Sequence, residues 1–369
     1  MKPSLSVQRW SFADWQAFQA AEATKTAERH LAHADPVPHL EEGAPAELDT
    51  LGALGYGLDS AHAAVWTGDD KQLTRLVSPL LSGNGPLLDV WRSSSPLEAG
   101  RSGQVHWWRN AEWLFGTVDL DEHPDSDDLT ALSHSAYSDI FKTLNDSGRP
   151  HLLRIWNYLP RINLDGGGME RYRQFNAGRQ RAFLEAERPV FEGSPAACAL
   201  GTPSGPLSIR FLAGCHAPVA IENPRQVSAY RYPSSYGPRA PTFSRAALAD
   251  MGNDRLALLI SGTASIVGHA SVHPGDVAAQ TQETLRNLQA VIDSAHTHCS
   301  ARFDLRQLDA VVYVRRAADE AVVRQILMQA LGAEAATLRH AVFLQADICR
   351  TDLLMEIEAH ALATGALNP

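Results

Sequence analysis

The sequence predicts an α+β/α/β protein built as two pseudo-symmetric halves. Three observations carry this. Between about residues 60 and 225, strand-like and helical patterns follow one another as strand, strand, helix, strand, helix, strand. Roughly the same order returns from about Pro238 to the end of the chain. Between them lies Asn223–Pro238, whose tyrosines and prolines suit an ordered loop at a domain interface, where ligand sites tend to lie. No residue-level repeat accompanies the shared order. The length of 369 residues suits two ordinary domains, and the chain divides into an N-terminal arm 1–60, an α/β domain 61–225 and a second unit 226–369.

Taken in order, the arm holds a helical stretch near Ala13–Leu31 and a Pro- and acid-rich passage from Asp35 to Glu47. Apolar strands follow at Val105–Asn110 and Trp113–Val118, then a helix at about Leu129–Asn145 and a strand at Leu152–Tyr158. The acidic run Asp119–Asp128 reads as a solvated turn. A helix starts after the loop Gly166–Gly168 and runs to Leu184, and a strand covers Leu207–Leu212. In the second unit a strand at Leu256–Thr263 precedes a helix that Pro274-Gly275 sets off and Asp276 caps. Val277, Leu285, Leu288, Val291 and Ile292 recur at helical spacing, so that face is core. A strand at Leu308–Val314, a helix at about Asp319–Leu331 and a late strand through Met355–Ala359 complete the unit.

Composition excludes several functions. Hydrophobic residues at 44% and charged residues at 20% fit a soluble globular protein. No apolar run is long enough to span a bilayer and the N-terminus lacks an apolar signal core, so the expected location is cytoplasmic. A net charge of −10 argues against nucleic acid or an anionic membrane as partner, and makes capture of an anionic ligand depend on a local cationic cluster. Cys198, Cys215, Cys299 and Cys349 form no close pair, which predicts reduced thiols and no structural zinc. His296-Thr297-His298-Cys299 ends a helix without an acidic partner at helical spacing, so no metal is expected there. Gly166–Gly168 lacks the residues of a nucleotide loop, and Ser204 sits in no nucleophile elbow. Only four of the 32 basic residues are lysine, which leaves few candidates for Schiff-base chemistry and many for bidentate carboxylate recognition.

Strand alternation puts Leu354, Glu356 and Glu358 on one face of the last strand and Leu353, Met355 and Ile357 on the other. Met355-Glu356-Ile357-Glu358-Ala359 resembles the late glutamate-bearing strand of the YjgF/RidA fold, a mixed sheet covered by two helices. Two upstream segments are more specific. Arg154–Asn163 (RIWNYxPxIN) and Glu170–Arg179 (ERYRQFxxGR), with Ser261–Ser265 (SGTAS), resemble the chorismatases over roughly residues 150–360.

That resemblance implies cleavage of chorismate to pyruvate and a hydroxybenzoate without a cofactor, the 3-isomer first and the 4-isomer as a possible companion, in bacterial secondary metabolism. It implies Glu356 as the acid that protonates the enolpyruvyl methylene carbon, a task suited to a buried carboxyl with a raised pKa. The substrate is a dianion and calls for arginines and tyrosines. On a helix Tyr172, Phe175 and Arg179 share a face while Arg171 and Arg173 point elsewhere, which makes Arg179 with Tyr172 the first expected carboxylate contact. Tyr230 and Arg245 flank the junction and are further candidates. Gly262 and Thr263 offer backbone N–H and hydroxyl groups, and Ala264 is expected along the ring pocket. Cys349 resembles in position a cysteine of chorismatases that make 3-hydroxybenzoate. Alternatives are hydrolysis to a dihydroxycyclohexadiene carboxylate, a non-catalytic aromatic-acid sensor, and an imine deaminase of the RidA kind. The deaminase lacks its anchor, because the position fifteen residues before Glu356 is Ala341. A monomer and a homotrimer both fit.

Overall fold

The computed structural model describes residues 3–32, 48–58, 71–83, 85–122 and 129–368. Both the acid-rich passage 35–47 and most of the acidic run 119–128 lie outside the described residues. The chain opens with β1 (Leu5–Ser11) and α1 (Phe12–Ala32), then β2 (Asp49–Tyr56), β3 (Leu73–Arg75), β4 (Leu80–Gly83) and β5 (Leu87–Ser93). Next come β6 (Glu98–Ser102), β7 (Val105–Arg109), β8 (Trp113–Leu120), α2 (Leu129–Ser147) and β9 (His151–Pro160). They are followed by α3 (Arg171–Glu185), β10 (Ala196–Thr202), β11 (Leu207–Gly214) and β12 (Val219–Ile221). The second half holds β13 (Ala246–Asp250), β14 (Arg255–Thr263), β15 (Ile266–Val267), β16 (Ala270–Ser271) and α4 (Val277–His296). It ends with β17 (Asp309–Val314), α5 (Glu320–Leu331), α6 (Ala336–His340), β18 (Val342–Gln345), β19 (Asp347–Ile348) and β20 (Met355–Thr364). No helix among the described residues is long and apolar enough to cross a membrane.

Two mixed seven-stranded sheets carry the two halves, in the orders β19-β10-β9-β11-β8-β7-β6 and β12-β13-β14-β20-β17-β18-β4. Each contains one parallel pair, β9 with β10 and β17 with β18. One face of each sheet is covered by helices. On the first, α2 and α3 bury Tyr137, Phe141, Phe175 and Phe183 against Leu159 and Phe211. They cross closely at Gly178, where a Cβ would strike the Thr130 carbonyl and the backbone of His134. On the second sheet α4 and α5 cover Leu258, Val312 and Ile357. The α4 terminus forms as its sequence dictates, Asp276 accepting from the Ala279 N–H at 3.0 Å.

The helix-free faces of both sheets share a core with a third, four-stranded sheet of order β1-β5-β2-β3. Leu54, Tyr56 and Trp91 of that sheet meet Phe115, Trp156, Tyr158 and Cys198 of the first and Leu259, Val311 and Tyr313 of the second.

This corrects the reading of residues 1–60 as a peripheral arm. β1 and β2 flank β5, and Arg9 of β1 donates to both Asp89 oxygens at 2.7 and 2.6 Å. The same guanidinium reaches the carbonyls of Ala310 and His340 at 2.7 and 2.9 Å, which ties the N-terminal strand to the last third of the chain. The halves also exchange strands. β4 pairs with β18 on the edge of the second sheet, and β19 pairs with β10 on the edge of the first. That second exchange carries the segment after Ile348 to the junction of the halves.

Candidate active site

β20 turns Met355 and Ile357 toward the helices and Glu356 and Glu358 toward the core between the sheets, as strand alternation predicts. The two carboxyl groups share a face and have opposite surroundings. Glu358 is fully engaged, with Arg154 Nη2 donating to Oε2 at 2.5 Å and the Tyr313 hydroxyl to Oε1 at 2.7 Å. Glu356 is 4% exposed and receives no hydrogen bond from any described residue. Burial, and then the neighbouring charge of Glu358, push its pKa up to about 8, against the opposing pull of Arg154, Arg245 and Arg315. A carboxylic acid that keeps its proton near neutrality is a proton donor.

Gly262 makes room for this carboxyl. A Cβ at that position would land on Glu356 Oε1, well inside contact distance. Because the clash is with the end of a flexible side chain, Gly262→Ala is expected to fold and to displace the acid. Turnover should fall by about 10²-fold with a melting temperature near wild type, to be checked by steady-state kinetics beside a thermal melt.

Glu356 and Gly262 line a cavity of about 260 Å³, of the order a small ligand needs. Both halves contribute to its walls. Tyr172 and Arg173 come from α3, Tyr232 and Tyr236 from the junction, Arg245 and Ala264 from the second half, and Cys349 and Arg350 from the segment after β19. A recess of about 30 Å³ opens beside Glu356, bounded by Tyr172, Cys349, Cys198 and Arg179.

Three arginines, Arg173, Arg245 and Arg350, line the cavity beside Glu170, Asp352 and Glu356. Arg245 donates to the Val227 carbonyl and the Tyr232 hydroxyl, both at 2.8 Å, with its guanidinium 5.2 Å from the Phe243 ring centre. Arg350 lies 5.0 and 4.1 Å from the ring centres of Tyr232 and Tyr236 and donates to the His269 carbonyl at 2.9 Å. Neither guanidinium, nor that of Arg179, has a carboxylate partner among the described residues. Arg173 is paired with Glu170 at 3.3 Å. Burial and the facing Glu356 raise the Cys349 thiol to about 12, so it stands as a neutral SH group.

Of the residues singled out in the sequence, Glu356, Tyr172, Arg245, Gly262, Ala264 and Cys349 surround one cavity. Arg179 belongs to the recess rather than the main cavity, its guanidinium bonded to Asn176 Oδ1 at 2.9 Å and buried to 1%. Two expectations are corrected. Tyr230 is buried in a short 3-10 turn with its ring edge-on to Phe191, and that tight turn presents Tyr232 to the cavity instead. Thr263 pairs with Ile357 in the sheet and spends its hydroxyl on the Ser261 carbonyl at 2.9 Å, away from the cavity.

Arg173, expected to point elsewhere, does line the cavity, because the junction segment folds over the start of α3 and packs Gly237 on its side chain. Arg350 is not singled out by the sequence, and Tyr236 only as one of the tyrosines of the junction loop. Their nearness to Glu356 depends on two loops meeting, which no local pattern encodes.

Comparison with known proteins bears on the family of the whole chain. The model of the N-terminal domain of FkbO/Hyg5-like chorismatases matches residues 89–213. A 3-hydroxybenzoate synthase of Streptomyces hygroscopicus is 35% identical over 327 residues, 85% of this chain and 92% of its own. A chorismatase of Streptomyces rapamycinicus is 39% identical over 277 residues, 73% of this chain and 80% of its own. A chorismatase crystal structure at 1.08 Å superposes with a TM-score of 0.76 at 28% identity, covering 98% of this chain and 99% of the other. With relatives of this identity and coverage, the chain belongs to the chorismatase family.

Proposed function

We propose that the protein cleaves chorismate to pyruvate and a hydroxybenzoate, the 3-isomer first and the 4-isomer as a possible second product. The observation that carries this is Glu356, a buried carboxyl without hydrogen-bond donors, facing a cavity where Arg245 and Arg350 have no carboxylate partner among the described residues. Chorismate supplies what is missing, two carboxylates and an acid-sensitive enol ether. Arg245 and Arg350, with the tyrosines they stack on, are suited to one carboxylate, and Arg179 with Tyr172 to the other.

Glu356 gives its proton to the methylene carbon of the enolpyruvyl group, which leaves positive charge at the ether carbon. The carboxylate so formed stabilises that charge. The neighbouring ring hydroxyl then closes on the ring carbon bearing the ether oxygen, keeping its proton as a protonated epoxide whose opening leaves that proton on the product hydroxyl. The bond from that carbon to the ether oxygen breaks with its electrons going to oxygen, and pyruvate departs. Opening of the epoxide and loss of a ring proton restore aromaticity, and the released proton returns to Glu356. Atoms balance without water. The dihydroxycyclohexadiene product would take up one water instead, and Ala264 and Cys349 on the cavity wall are suited to controlling its entry.

Residues of both halves of one chain surround the cavity, which favours a monomer as the working unit; size-exclusion chromatography with light scattering would read this. For the activity, purified protein is incubated with chorismate, without added metal or nucleotide, and the products are separated by chromatography against spontaneous decay. Pyruvate with 3-hydroxybenzoate is the expected result. Pyruvate with a diene diol would overturn the product assignment, and no pyruvate above background would overturn the reading itself.

A further inference from the structure

The segment Cys349–Asp352 supplies four residues to the cavity wall yet contains no helix or strand of its own. What gives it a shape is a side chain outside the cavity. Arg315 stands just past the end of β17, and its guanidinium donates to the carbonyls of Ile348 at 3.1 Å, Arg350 at 2.8 Å and Leu353 at 2.8 Å. It also donates to Asp347 Oδ1 at 2.6 Å and Asn163 Oδ1 at 3.0 Å, so the same group holds β19 and the turn before α3. Three of the five bonds go to backbone carbonyls before, within and after the wall segment. The planar fork of donors is what allows one residue to do this, and a lysine ammonium could not meet the same set.

We propose that Arg315 is a positioning residue of this active site, holding the 348–353 backbone so that Cys349 and Arg350 stand where substrate binding and product choice require them. The proposal rests on the chorismatase reading for its catalytic consequence and on geometry alone for its structural one. Arg350 is stacked on two tyrosines at the cavity and Cys349 is half-buried against Glu356. A shift of the carbonyls that Arg315 holds therefore moves a cation and a thiol together. Displacements on the order of 1 Å in such groups cost about 10²-fold in enzymes generally.

The test compares Arg315→Ala and Arg315→Lys with wild type in the full chain. One readout needs no turnover: the rate of alkylation of Cys349 by iodoacetamide, resolved by peptide mass spectrometry, with Cys215 as internal reference. In Arg315→Ala the Cys349 rate is expected to rise about tenfold while the Cys215 rate is unchanged. The second readout is kinetic. KM for chorismate should rise about tenfold or more with a smaller change in kcat, and the share of diene diol should increase. Arg315→Lys should move each quantity in the same direction by less, and serves if the alanine variant fails to fold. Unchanged Cys349 labelling with unchanged KM overturns the proposal. If wild type releases no pyruvate but Cys349 labelling responds as expected, the functional reading fails and the positioning role stands.

Discussion

Replacing Glu356 by glutamine is expected to lower pyruvate release by about 10³-fold while chorismate still binds within a few-fold of wild-type affinity. Glutamine keeps the size of the side chain and removes the proton. The arginines that attract the substrate are untouched, so the loss should fall on kcat rather than on KM. Isothermal titration with chorismate, beside single-turnover pyruvate assays, separates the two. A non-catalytic sensor would bind equally well in both forms and show no turnover in either.

The same substitution has a stability signature. The folded protein holds the Glu356 proton up to about pH 8, whereas the unfolded chain loses it near the usual glutamate value. The folded state therefore binds more protons over that interval, and wild-type stability falls as pH rises through it. Glutamine does not titrate. The melting temperature of Glu356→Gln should gain on wild type between pH 5 and pH 8, and equal stability at every pH would contradict the burial of a protonated carboxyl.

The second large effect concerns the pair beneath the acid. Arg154 and Glu358 are both almost wholly buried and meet at 2.5 Å. Arg154→Met leaves the Glu358 charge in the core with the Tyr313 hydroxyl and the Cys198 thiol as its remaining partners, and should cost about 3–5 kcal/mol. Adding Glu358→Gln removes the stranded charge, so the double variant should recover much of that loss in chemical denaturation. If the two single changes simply add, the pair is not coupled as its geometry implies. Glu358 also has a chemical consequence, since its nearness favours the protonated form of Glu356 while Arg154 pulls the other way.

Much of this arrangement was legible in the sequence because it depends on local periodicity. The α4 cap at Asp276 and the alternation that puts Glu356 and Glu358 on one face follow from rules acting within a few residues, while the burial of that face was an implication of the family resemblance. The paired motifs at Arg154–Asn163 and Glu170–Arg179 added the family.

What was missed depends on contacts between distant segments. β1 is not legible in the sequence, where residues 1–60 read as an arm, because its partner β5 begins about eighty residues later. In the junction, the choice between Tyr230 and Tyr232 turns on a three-residue 3-10 turn that no pattern announces. Arg315 looks like an ordinary residue after a strand, and only its five bonds to segments up to 152 positions away reveal what it does.

The central claim is that Glu356 works as an acid in the free enzyme. It is tested most directly by the pH dependence of kcat/KM for pyruvate release, which reports groups of the free enzyme. The account predicts a rate that is level below about pH 7 and falls tenfold per pH unit above about 8, as Glu356 loses its proton. A rate that stays flat or climbs from pH 7 to pH 9.5 would mean that the carboxylate form is the active one, and would contradict it.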